Sequence, residues 1–168
     1  VLVGAVQALF EACLYVFILQ WTPAVGGAVE GAFGSGAATP FGTVFSCFMA
    51  CSLLGSLAFA RSVAAPGRTT ETTAVGLLAV STAAMGLAAA SVAGRTASLA
   101  GVVASLMLYE GCVGMYFPVI ATLRSRLIPE DKKTVILGLF GVPLNTLVVV
   151  IYLSASRLGV AGSLGVGA

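Results

Sequence analysis

Residues 106–145, LMLYEGCVGMYFPVIATLRSRLIPEDKKTVILGLFGVPLN, hold two apolar runs on either side of a charged hinge. Each run carries one polar group where hydrocarbon is expected, Glu110 in the first and Asn145 in the second. Each is also interrupted by a proline, Pro118 and Pro143. The hinge gathers Arg124, Arg126, Glu130, Asp131, Lys132 and Lys133, six of the fourteen charged residues of the chain. Helix, charged loop, helix is the pattern of a protein that crosses a bilayer more than once. The remainder repeats it less sharply.

Of the 168 residues, 59% are hydrophobic and only 8% are charged, and the mean hydropathy is +1.09. A soluble domain carries about 25% charged residues to cover its surface. A bilayer removes that need, and apolar runs of roughly 20 residues are the spanning length. The runs here are continuous and do not alternate with period two, which argues against a β-barrel. The fold class expected is all-α, a polytopic membrane helix bundle. Histidine is absent, which removes the commonest general base, His-dependent triads and His metal sites. An enzyme is not expected, and neither is a cofactor. No basic patch with interleaved aromatics is present, so nucleic acid is not an expected partner. Cys13, Cys47, Cys51 and Cys112 all lie in apolar runs, where they read as small hydrophobes and not as a disulfide framework.

Working outward from the hinge, the spans expected are 1–21, 41–60, 73–93, 98–122 and 134–154. Residues 22–40 carry so many glycines and alanines that a loop is expected, with Trp21 at the headgroup level. A tight turn is expected at Arg95 and Thr96. Residues 158–168 number 11, four of them glycine. They are too short to cross roughly 30 Å of hydrocarbon at 1.5 Å per residue, and read as the incomplete start of a final helix or a disordered tail. The chain opens on Val1, already in the pattern of a helix interior. A piece of a longer protein is expected, since Gln7 and Glu11 make the opening run too polar for a signal-peptide core. Arg61, Arg68, Arg124, Arg126, Lys132 and Lys133 fall after the second and fourth spans, against Arg95 and Arg157 opposite. Six against two places those loops in the cytosol.

The candidate site residues are polar groups inside spans. A carboxylate at the bilayer centre costs about 2.5–3.5 kcal/mol on insertion scales, so Glu11 and Glu110 are expected to face a cavity or a partner. Gln7, Glu11 and Tyr15 recur every four residues and share one helical face. A structural role, with each carboxyl group bonded to a neighbouring helix, is the alternative to a place on a substrate or proton path. Gly114 and Pro118, and Gly141 and Pro143, are read as kinks that gate the path or as ordinary packing features. No Lys or Arg lies within a span, so an anion would be held by hydroxyl and amide donors such as Asn145, or by groups from elsewhere.

Four stretches resemble the molybdate-anion transporter family, a branch of the major facilitator superfamily: VQALFEACLYVFILQWTP (6–23), FGTVFSCFMACSLLGS (41–56), YEGCVGMYFPVIATLRSRLIPE (109–130) and GVPLN (141–145). The resemblance covers about half the chain in detail. It implies the C-terminal half of a twelve-helix carrier, five full transmembrane helices with a truncated sixth. It also implies a missing N-terminal six-helix half as partner and molybdate or a similar oxyanion as solute. From the hydropathy a multi-pass position in a lipid bilayer is expected, the plasma membrane before an organelle. Gly141 departs from the family pattern, which places an Arg after the phenylalanine. A facilitator for another solute and a non-transporting scaffold or inactive fragment are the rival readings.

Overall fold

The computed structural model describes residues 2–94, 98–129 and 133–168. The turn expected at Arg95 and Thr96, and Glu130, Asp131 and Lys132 of the hinge, lie outside the described residues. Five helices follow one another: α1 (Leu2–Phe33), α2 (Phe41–Ala64), α3 (Thr70–Ala93), α4 (Leu99–Leu127) and α5 (Lys133–Val166). The first four are long and apolar enough to cross a membrane, and α5 contains a shorter described apolar run, Gly141–Val150. The chain is therefore a polytopic membrane helix bundle. α4 is its centre, packed against α1, α2 and α3, while α5 leans on α1 and α3.

The first helix differs from the sequence reading. It continues through Trp21 and Pro23 to Phe33, where a loop was expected from residue 22. Its 32 residues make it about 48 Å long at 1.5 Å per residue, well beyond the hydrocarbon thickness. Glycine's low helix propensity is measured in water. In a bilayer the backbone must bond to itself, so the penalty is overridden. Packing supplies the rest, since Ala24, Val25, Ala28 and Val29 form a buried stripe on the extension. The helix stops where Gly34 takes φ +96° and donates its N–H to the Glu30 carbonyl at 2.9 Å, a left-handed ending that glycine adopts without a Cβ clash. Trp21 consequently lies along the helix and not at its exit, its ring 5.4 Å from Phe48 and 5.9 Å from Phe41 of α2.

α3 begins on a capping box: Thr69 Oγ1 accepts from Thr72 N–H at 3.1 Å, and Thr72 Oγ1 accepts from Thr69 N–H at 3.0 Å. Its buried face is Thr70, Thr73, Leu77, Ser81, Ala84, Met85 and Ala88. These recur at spacings of three and four, and most are small or hydroxylated, as helix contacts inside a bilayer require.

At the far end, α5 breaks at Gly159 (φ 68°, ψ 180°) and resumes as helix. Ser163 and Leu164 beyond the break are buried, and Gly167 lies against Met85 of α3 and Val16 of α1. Residues 160–168 thus wedge between two helices.

Candidate functional site

α1 and α4 meet along matched stripes. Phe10 and Phe17 stand seven residues apart on α1, and Tyr109 and Tyr116 seven apart on α4. Two helices crossing at a shallow angle keep such positions facing one another. Phe10 stacks on Tyr116 with ring centroids 4.0 Å apart, Phe17 meets Tyr109 at 5.1 Å, and Phe17 meets Phe48 of α2 at 5.6 Å. With Trp21 beyond Phe48, an unbroken aromatic column runs through the bundle.

Glu11 sits at one end of this column. Its carboxylate Oε1 accepts a hydrogen bond of 3.1 Å from the Tyr116 hydroxyl, which ties α1 to α4. Along its face the environment grades outward: Gln7 and Glu11 are half-buried, and Tyr15 is 45% exposed. Glu110 is 6% exposed, on the central helix six residues from Tyr116, or about 9 Å of helical rise. The structure therefore brings Glu11 to Tyr116 and buries Glu110 a turn and a half away. Two atoms of these helices, Gln7 Oε1 and Tyr109 Oη, are buried without a hydrogen-bond partner among the described residues. Buried polar groups normally find one, so these mark the polar part of the seam.

The other candidates lie elsewhere. Asn145 is exposed on α5, its Nδ2 donating to the Gly141 carbonyl at 2.8 Å. Gly138 and Val142 share its outward stripe, so that face has no partner within the described chain. Gly114 has a packing role: a Cβ there would overlap the Ser52 carbonyl of α2, as one on Gly55 would overlap the Gly111 carbonyl. Helix continues through Pro118 and Pro143. Pro118 cannot donate to the Gly114 carbonyl four residues back, so each proline remains a point where the helix bends cheaply.

Tyr116 and Tyr109 were missed in the sequence. Their seven-residue spacing, mirrored by Phe10 and Phe17, was the signal that could have found them.

A cavity of about 470 Å³ lies under the α1 extension, lined by Val25, Val29 and Phe33 with Val44, Leu99 and Val103. One of about 870 Å³ opens between α2 and α3. Neither has Glu11 or Glu110 in its lining. Glu11 belongs to the α1–α4 seam through the bond it accepts from Tyr116.

The fold, a membrane helix bundle with Glu11 and tyrosines along its α1–α4 seam and no strand among the described residues, defines the class of polytopic membrane proteins. The family model for twelve-helix carriers described as "Sugar-transporters, 12 TM" matches residues 1–116, and the chain belongs to that family. It is homologous to proteins named molybdate-anion transporter. The one from Takifugu rubripes is 37% identical over 151 residues, 87% of this chain and 29% of its own length. That from Xenopus laevis is 34% identical over 148 residues, covering 87% and 31%, and that from Danio rerio 32% over 148 residues, covering 87% and 29%. The chain thus spans about 30% of the curated relatives it matches. No solved structure matches it.

Proposed function

We propose that this chain is the C-terminal part of a facilitator-type carrier for molybdate or a related oxyanion. The observation that carries the reading is its 37% identity to a protein named molybdate-anion transporter along 87% of the chain. α1 to α5 would be the seventh to eleventh helices, α5 completing a fifth span. Transport would proceed by alternating access, two bundles rocking about a site near the midplane. Gln7, Glu11, Tyr15 and Glu110 line the path from this side, with Asn145 on the outward face of α5 meeting the missing half. A carboxylate beside a tyrosine does not attract an anion by itself. Its part would be to carry a coupled proton, with neutral donors supplied by groups such as the Asn145 amide. Full positive charge would come from the other half. Pro118 and Pro143 give α4 and α5 the compliance the rocking needs, and Gly141 is a gap on the same stripe as Asn145.

The test is tracer molybdate uptake into liposomes holding this chain completed by the segments its relatives carry. Saturable uptake is expected, lost in Glu11→Gln and Glu110→Gln. The 168-residue chain by itself is expected to match empty liposomes, because the site forms between two halves. Uptake that neither glutamine variant alters would reject the assigned path. The sugar-transporter description of the matching family favours a neutral polyhydroxylated solute as the second reading. Uptake of such a solute, uncompeted by molybdate, would establish it.

A further inference from the structure

The larger cavity has a feature that transport of a small anion does not use. α2 and α3 each lie on α4 but scarcely touch one another, which leaves a groove of about 870 Å³ open along the outside of the bundle. Its walls and floor are apolar, among them Leu54 and Ala58 from α2, Leu77 and Val80 from α3, and Met107 and Met115 from α4. One end is different. There the α2–α3 turn contributes Gly67 and Arg68 and the first turn of α3 contributes Thr72 to the lining, and α3 starts with its capped N-terminus at Thr69. The Arg68 guanidinium stands at the mouth of an apolar slot beside the start of α3, whose first turn carries Glu71 outside the lining. No acidic residue is among the described residues that line it. Arg61 in the last turn of α2 adds a second cation to the same end of the bundle.

We propose that this groove is a binding site for an anionic phospholipid, its phosphate on Arg68 and one acyl chain along the slot between α2 and α3. The charge lies at one end only, and the rest is hydrocarbon, which is the polarity of an amphiphile and not of a transmembrane helix. The volume falls in the range of ligand sites, about 300–1,000 Å³. The loop-charge bias puts Arg68 on the cytosolic side, where the leaflet is anionic. The site is independent of the solute that the protein carries.

Native mass spectrometry of the chain released from nanodiscs of phosphatidylglycerol and phosphatidylcholine, matched in acyl chain, reads the proposal directly. One retained phosphatidylglycerol is expected, with little phosphatidylcholine. Arg68→Gln is expected to lower phosphatidylglycerol retention about fivefold, the weight of one cation at a membrane surface. Gly76→Phe places a ring in the groove at a position where an added Cβ meets nothing within 4 Å, and is expected to abolish retention of either lipid. Equal retention of the two lipids, or retention indifferent to both variants, overturns the proposal. So does a dimer that Gly76→Phe dissociates, which would make the occupant a second copy of the chain. Should a variant not fold, photoactivatable phosphatidylglycerol on the unmodified chain decides: crosslinks within residues 68–80 and 107–115 support the site, and crosslinks confined elsewhere overturn it.

Discussion

The two sides of α4 are built from opposite materials. Towards α2 it offers Gly111 and Gly114 to Gly55 and Ser52, and a Cβ on Gly114 or Gly55 would overlap the facing backbone. Towards α1 it offers Tyr109 and Tyr116 to Phe10 and Phe17, and rings fill the space. The first seam has one arrangement, because backbone pressed on backbone leaves nothing to rotate. The second is held by stacked rings and one hydrogen bond from Tyr116 to Glu11, which can repack. A carrier that moves α1 against α4 would keep the first seam fixed and let the second change. In hydrocarbon neither seam gains from excluding water, so both depend on packing and polar contacts.

Gly114→Leu should break this comparison most visibly if it is wrong. The added side chain forces α2 away from α4, at a cost of about 3 kcal/mol, read as lost thermal stability of the detergent-solubilised protein. Gly76→Leu, which enters open space, should stay within about 0.5 kcal/mol of the parent. Equal stability of the two variants would remove the distinction between the seams. Phe10→Ala comes next. It deletes the ring stacked 4.0 Å from Tyr116, and should cost about 2 kcal/mol, below the soluble-core value because lipid and not water is the outside solvent. A loss as large as that of Gly114→Leu would show the aromatic seam to be equally rigid. The smallest effect is expected from Tyr116→Phe, about 0.6 kcal/mol for one interhelical hydrogen bond in a membrane protein. A double-mutant cycle with Glu11→Leu measures it, and zero coupling would mean that this bond does not tie the helices.

The bundle was legible because hydropathy and loop charge are properties of whole segments. Much of the detail was not. The buried face of α3, Thr73, Leu77, Ser81, Ala84 and Ala88, is hidden in a run of residues that differ little in hydropathy from their outward neighbours. Inside a bilayer the contact face is selected for small size, so the usual apolar stripe gives no contrast. The α1 extension was missed because glycine was weighed by its behaviour in water. Of the site, Glu11 and Glu110 stood out as charges in hydrocarbon, while the partner of Glu11 did not. Tyr116 lies 105 residues away in sequence, and only packing could bring it there. Asn145 stood out as an amide in an apolar run, and it stands on a face of α5 that points outward in this chain.

The measurement closest to the central claim, that the Gln7–Glu11–Tyr15 face of α1 lines the solute path, is thiol accessibility in the completed carrier. Tyr15→Cys and Leu57→Cys, each in a cysteine-free background, compare a residue 45% exposed on that face with one 50% exposed on α2. The account predicts that a membrane-impermeant thiol reagent modifies position 15 and not position 57, and that molybdate slows the reaction at 15 severalfold. A position 15 that stays unmodified, or whose modification molybdate leaves unchanged, would contradict it.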